Sequence, residues 1–167
     1  MRGTSTFIDS INDSVRILII LKTASRAKSN HLMTENRIRL YDYYLRFPNT
    51  MFGIESVIDE GSVNFDEYYA FFHWKPDVVR YRSCINYLIA RGLIEKKLTN
   101  ANIVFTVLPK GVDALSKIEN RYKEKLVGLT ERMLPLVSKL SDKKIEEEIT
   151  KKANSISQEM GDKIHGR

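Results

Sequence analysis

Six basic side chains, Arg80, Arg82, Arg91, Lys96, Lys97 and Lys110, fall between Val78 and Lys110 beside a single acid, Glu95, a local balance of +5 within a chain of net charge +6. Cationic groups gathered at that density attract phosphate, and binding of this kind is independent of base sequence and weakens with salt. Tyr87, Asn100 and Asn102 lie in the same stretch and complete the candidate DNA-contacting set. The same charges also suit a solvated helix face and a hairpin tip kept soluble by lysines.

Chemistry of other kinds lacks its residues. His31, His73 and His165 are far apart in the chain and have no cysteine or carboxylate pair at metal-ligand spacing. Neither a phosphate-binding loop nor a glycine-flanked serine elbow occurs. The expectation is a protein that is not an enzyme, with no cofactor, no metal and no small-molecule substrate. Cys84, the one cysteine, lies on an apolar stripe and reads as a small core residue in a reducing, cytoplasmic protein. The apolar run Ile17 to Leu21 is too short to span a bilayer or to serve as a signal-peptide core.

The elements that position the basic residues follow from pattern. Pro76 and Asp77 suit a helix start. Val78, Tyr81, Ile85 and Leu88 then recur at helical spacing, with Cys84 and Ile89 beside them. Val78, Ile85 and Leu88 are therefore expected to be buried, and Arg80, Tyr87 and Arg91 exposed. Gly92 stops that helix. Leu93 to Leu98 and Ile103 to Val107 make two strands around the turn-forming Thr99-Asn100-Ala101-Asn102, and Pro109 and Gly111 lead into a further helix. Residues 65–74, FDEYYAFFHW, can form the helix preceding the recognition helix. The succession predicts a mainly α protein: a winged helix-turn-helix domain with a two-stranded wing and a C-terminal helical extension.

Taken in order, residues 1–12 read as a flexible N-terminal arm, 13–115 as the winged domain and 116–167 as the extension. The first helix, from Asp13 or Ser14, has Arg16 and Lys22 outward, and its five consecutive apolar residues require burial on more than one side. Thr34 starts a second helix that ends at Pro48, with Ile38, Tyr41 and Leu45 on one face and Leu40, Tyr44 and Phe47 on the next. The segment 49–64 reads as a loop. Eleven of the sixteen aromatic residues fall between Tyr41 and Trp74, a density that suits core or protein interface better than base stacking.

Beyond the wing, Val112, Leu115, Tyr122, Leu126, Leu129, Met133, Leu136 and Leu140 form a heptad-like seam, interrupted at Glu119 and by Pro135. Ile145, Ile149, Ile156 and Met160 continue as a narrower stripe. These helices suit either packing on their own domain or a docking arm. Ile17, Ile20, Leu126, Leu129, Met133, Leu136 and Leu140 are the candidate partner interface.

The stretches RILIILKTAS, NRIRLYDYYLRFP and RSCINYLIARGLIEKK resemble the small middle component of bacterial ABC-three-component defence operons, the group that includes the Lamassu antiphage systems. The resemblance covers roughly residues 13–115. It implies a non-catalytic, kleisin-like or scaffold subunit accompanying an SMC-like ATPase and an effector, often a nuclease, in antiviral defence. It also implies that the winged helix binds protein at least as readily as double-stranded DNA. The alternative is a winged-helix transcription regulator, dimerised through its C-terminal helices and reading the major groove with Arg80, Arg82 and Tyr87.

Overall fold

The structure, a computed structural model, describes residues 3–27, 32–53 and 78–165. Its helices are α1 (Gly3–Arg26), α2 (Glu35–Arg46), α3 (Pro48–Phe52) and α4 (Val78–Ala90), followed by strands β1 (Ile94–Thr99) and β2 (Asn102–Val107). Helices α5 (Pro109–Ser116), α6 (Arg121–Val137) and α7 (Asp142–His165) complete the chain. The architecture is mainly helical with one two-stranded antiparallel sheet. The expected helix over 65–74 and most of the expected 49–64 loop lie outside the described residues.

Helix α1 is the hub. It packs against α2, α4, β2, α5 and α6, so Ile17, Leu18, Ile19, Ile20 and Leu21 are all at most 4% exposed. Five apolar residues in a row cover the helix circumference, and only a helix surrounded by others can hide them all. Residues 3–12, expected as an arm, form the first turns of α1, and Cys84 Sγ of α4 lies 3.6 Å from the Ser10 carbonyl oxygen. The Cys84 thiol is buried, as the stripe requires, and burial pushes its pKa up.

Thr34 caps α2, its hydroxyl accepting from Arg37 N at 3.2 Å. The chain breaks at Phe47 and restarts at Pro48 as α3, since proline fits the first turn of a helix and not its interior. At the end of α4, Gly92 adopts φ +66°. Gly92 N donates to Ile89 O and Leu93 N to Leu88 O, both at 2.9 Å, which closes the helix with a Schellman pair.

The hairpin that follows has Asn100 and Ala101 as its two-residue loop, both at positive φ, and Thr99 opposite Asn102. Phe105 N donates to Met33 O at 3.0 Å, which ties β2 to the segment before α2. Leu108 N reaches Leu93 O at 2.9 Å, and α5 starts so close to the same carbonyl that a Cβ on Gly111 would overlap it.

The C-terminal helices share the core of α1 and α2. On α6 the buried stripe is Leu126, Leu129, Thr130, Met133, Leu134 and Val137, while Leu136 is 57% exposed. An untwisted helix of 3.6 residues per turn drifts off a strict heptad seam, so burial passes from the expected 136 to 134 and 137. Helix α7 is clamped to α2. Arg37 Nη2 bonds Asp142 Oδ1 at 2.6 Å and the Leu140 carbonyl at 2.8 Å, and Asn36 Nδ2 donates to Asp142 Oδ2 at 2.9 Å. Farther along, Lys152 Nζ donates to the Met51 carbonyl at 2.5 Å, near the end of α3. Between these clamps Ile145 and Ile149 are buried, as is Ala153 just beyond the second, while the side chains of Ile156 and Met160 lie outside the described ones.

Two glycine exchanges test the hairpin. Ala101→Gly relieves a left-handed alanine and should stabilise the protein by about 1 kcal/mol, whereas Gly111→Ala should destabilise it by roughly 1–3 kcal/mol through overpacking. Urea unfolding midpoints of the two variants should move in opposite directions.

Candidate partner and nucleic-acid surfaces

Burial of Tyr81, Cys84, Ile85 and Leu88 orients α4. Its outward face then consists of Val79, Arg82, Ser83, Asn86, Tyr87 and Ala90, the steps of three and four that share one side of a helix. Val78 is half-buried, at the margin of the stripe and not within it. The hairpin continues the surface with Lys96, Lys97, Leu98, Asn100 and Asn102, all exposed.

Arg80 departs from the expectation of an exposed DNA contact. Its Nη2 lies 2.7 Å from Asp13 Oδ2 on α1, and its side chain is 35% exposed. Asp13 also pairs with Arg16, and Arg16 Nε lies 2.6 Å from Asp42 Oδ1. Two arginines and two aspartates thus form a charge-balanced cluster joining α1, α2 and α4. Tyr122 of α6 sits at its edge, 3.5 Å from Arg16 Nη1. Burial works against the Arg16 charge, but Asp42 and then Asp13 more than offset it, and its pKa is raised. The Tyr81 hydroxyl is buried near the same groups, and burial holds its pKa well above the ordinary value, with Asp42 adding to the shift.

The other cations divide into paired and open sets. Arg82 Nε meets Glu35 at 3.2 Å and Lys97 meets Glu95 at 2.5 Å. Lys97 and Thr106, by hydrogen bonds, hold the Glu95 carboxyl below its usual pKa. Arg91 stacks its guanidinium 5.3 Å from the Tyr87 ring centroid, and Lys110 Nζ donates to the Arg91 carbonyl at 2.9 Å. Among the described residues Arg91, Lys96 and Lys110 have no carboxylate partner, so the net positive charge of this surface is concentrated on them. Exposed apolar groups stand among these cations: Val79 at 75%, Tyr87 at 51% and Leu98 at 77%, with Leu98 directly opposite Ile103 in the hairpin. Such apolar exposure is more typical of a protein contact than of a phosphate contact.

Most of the expected partner residues are not surface residues. Ile17, Ile20, Leu126, Leu129 and Met133 are buried in the chain's own core. They pack against each other's elements, since α1 and α6 are neighbours. Leu140 is half-buried against the same core, and Leu136 alone of the set is exposed. His31 and His73 lie outside the described residues, as does the His165 side chain. No helix among the described residues is long and apolar enough to cross a membrane.

The family model of the ABC-three component (ABC-3C) system Middle Component 2 matches residues 6–159. This chain belongs to that family. No curated protein and no solved structure matches it. A middle component of a three-component system works with partner subunits, and in this Middle Component 2 chain the α4 and hairpin surface combines exposed apolar groups with cations that have no carboxylate partner among the described residues.

Sequence reasoning missed the cluster. The signal was the position of Arg16, one residue before five apolar ones, together with Asp42 inside the aromatic run YDYY. Around Arg16 the helix is enclosed and its charge cannot turn outward, so an internal counter-ion had to exist. Removing it should be costly. Asp42→Ala should lower stability by about 3–5 kcal/mol, while Glu35→Ala, which breaks an exposed pair with Arg82, should change it by no more than about 1 kcal/mol. Thermal or urea denaturation of both variants checks the contrast.

Proposed function

We propose that this chain is the non-catalytic accessory subunit of a bacterial antiviral defence complex of the Lamassu type. It acts in the cytoplasm, kleisin-like, linking an SMC-like ATPase to an effector nuclease, and it uses no cofactor. Family membership over residues 6–159 carries this reading. The succession of α4, glycine stop, hairpin and α5 supports a winged helix-turn-helix as the unit that meets the partner. Its exposed apolar groups, Val79, Tyr87, Leu98 and Ile103, favour a protein partner for most of that surface.

Double-stranded DNA, where the complex meets it, is held through phosphates by Arg91, Lys96 and Lys110 at the edge of the same surface. Arg80 and Arg82 serve α1 and α2 instead, which removes two of the three side chains that base reading in the major groove would need. The regulator alternative also loses its dimer seam, because Leu126, Leu129 and Met133 are used up inside one chain.

Two measurements test the reading. Duplex binding by the purified chain should be weak and indifferent to base sequence. Replacing Lys96 and Lys110 by Ala should weaken it equally on every duplex and lower the slope of log K against log salt by about one per residue removed. A preference of about a thousandfold for one duplex would favour the regulator. In the second, the chain should copurify with the ATPase encoded beside it. Leu98→Glu and Tyr87→Glu should abolish that association without changing the melting temperature, whereas a chain that stays a lone monomer at micromolar concentration would overturn the proposal.

A further inference from the structure

On the side of α1 away from α4, its C-terminal half and α6 border an open groove of about 590 Å³. Each helix gives it one face. From α1 come Ile19, Lys22, Thr23 and Arg26, and from α6 Val127, Glu131, Leu134 and Pro135, both sets at steps of three or four or the residue beside them. The floor is apolar, formed by Ile19, Leu115, Val127 and Leu134. Along α6 the lining runs from Lys123 to Pro135, about 18 Å at the helical rise. A long channel with a hydrophobic floor between two helices has the shape of a seat for a third helix.

The rim selects the charge of that helix. Lys22, Arg26, Lys123 and Lys139 surround the groove, with Glu131 as its one acid. Among the described residues none of the four has a carboxylate partner; Lys123 Nζ donates only to the Leu115 carbonyl, at 3.2 Å. The cations are also mutually repulsive: burial, then the charges of Arg26 and Lys123, hold the Lys22 ammonium below its ordinary pKa. Elsewhere in the molecule Arg16, Arg37, Arg80 and Arg82, each facing a neighbouring element, are answered by Asp or Glu. Here the answering carboxylates are not in this chain's described residues.

We infer that the groove between α1 and α6 is a second docking site, and that its occupant is an acidic amphipathic helix of a partner subunit. The helix lays its apolar stripe on half-buried Val127 and exposed Pro135, above the buried Ile19, Leu115 and Leu134, and its flanking Asp and Glu side chains meet the four cations. This rests on the reading of the chain as an accessory subunit, but it uses a surface separate from α4 and the hairpin. Two such sites on different sides of one small protein are what a subunit joining two others needs.

Photo-crosslinking tests it in the assembled complex. The photoreactive residue p-benzoylphenylalanine is placed at Thr23 or Ser138 in the groove, and at Ser83 on α4, in full-length chain co-expressed with the subunits encoded beside it. Crosslinked peptides are then identified by mass spectrometry. The groove positions should capture one partner segment with apolar residues at helical spacing and several flanking acids, and Lys22→Glu with Lys139→Glu should reduce that capture at least tenfold. Lys144→Ala with Lys151→Ala, at exposed lysines of α7 outside both surfaces, should leave it unchanged. Should the double charge reversal fail to fold, as judged by circular dichroism, Arg26→Gln replaces it and should reduce capture at least threefold. Groove crosslinks to a second copy of this chain, to a segment without acids, or to nothing while Ser83 still captures a partner would overturn the groove and leave the proposed function standing. A chain that assembles with no partner would overturn both.

Discussion

The enclosed stretch of a central helix must have its charges answered within the protein, and this constraint shapes the whole molecule. Helix α1 carries Asp13 and Arg16 into the interior, and the second carboxylate and second guanidinium come from α2 and α4. Burying charges is expensive, and their mutual attraction offsets that cost only with good geometry and a balanced count. Two cations against two anions meet the condition. In the observed rotation of α4 about its axis Arg80 lies over Asp13. The apolar stripe alone would tolerate a range of rotations.

That rotation decides the character of the outer surface. With Arg80 turned inward and Arg82 held by Glu35, α4 presents Val79, Ser83, Asn86 and Tyr87 to solvent, and the free positive charge moves to the helix end and the hairpin. The basic local balance is real in the sequence, but half of it serves internal or intrachain pairing. What remains is a mixed apolar and cationic patch, better matched to a protein with a few acids than to a run of phosphates. The clamp of Arg37 on Asp142 and Leu140 has a similar role for α7. It turns a charged C-terminal helix with a narrow stripe into part of the core, and it leaves the groove beside α6 as an open, positively charged flank.

Much of the architecture was legible in the chain because it depends on local rules. Gly92 as a left-handed stop, Asn100 at the hairpin turn, Thr34 as a cap and Pro48 as the end of α2 act through their own backbone preferences, so residue type suffices to place them, whereas the short helix α3 that restarts at Pro48 stands where a loop was expected. Burial of Tyr81, Cys84, Ile85 and Leu88 followed from period alone, as did the requirement that Ile17 to Leu21 be surrounded. The ABC-3C family relation was legible for a similar reason, since its pattern is carried by those same helices.

The sequence could not say which charged and apolar residues meet one another. Arg16 and Asp42 are 26 positions apart and Arg37 and Asp142 are 105 apart, and neither pairing leaves a periodic trace. Likewise, a heptad-like row on α6 has the same spacing whether its partner is another chain or α1 of the same chain. Only the close approach of α1 and α6 in the folded molecule assigns Leu126, Leu129 and Met133 to the interior and leaves Leu136 outside. Local propensity and period determined the elements and their buried faces; long-range packing and charge pairing, which depend on three-dimensional proximity, decided which surfaces were left for partners.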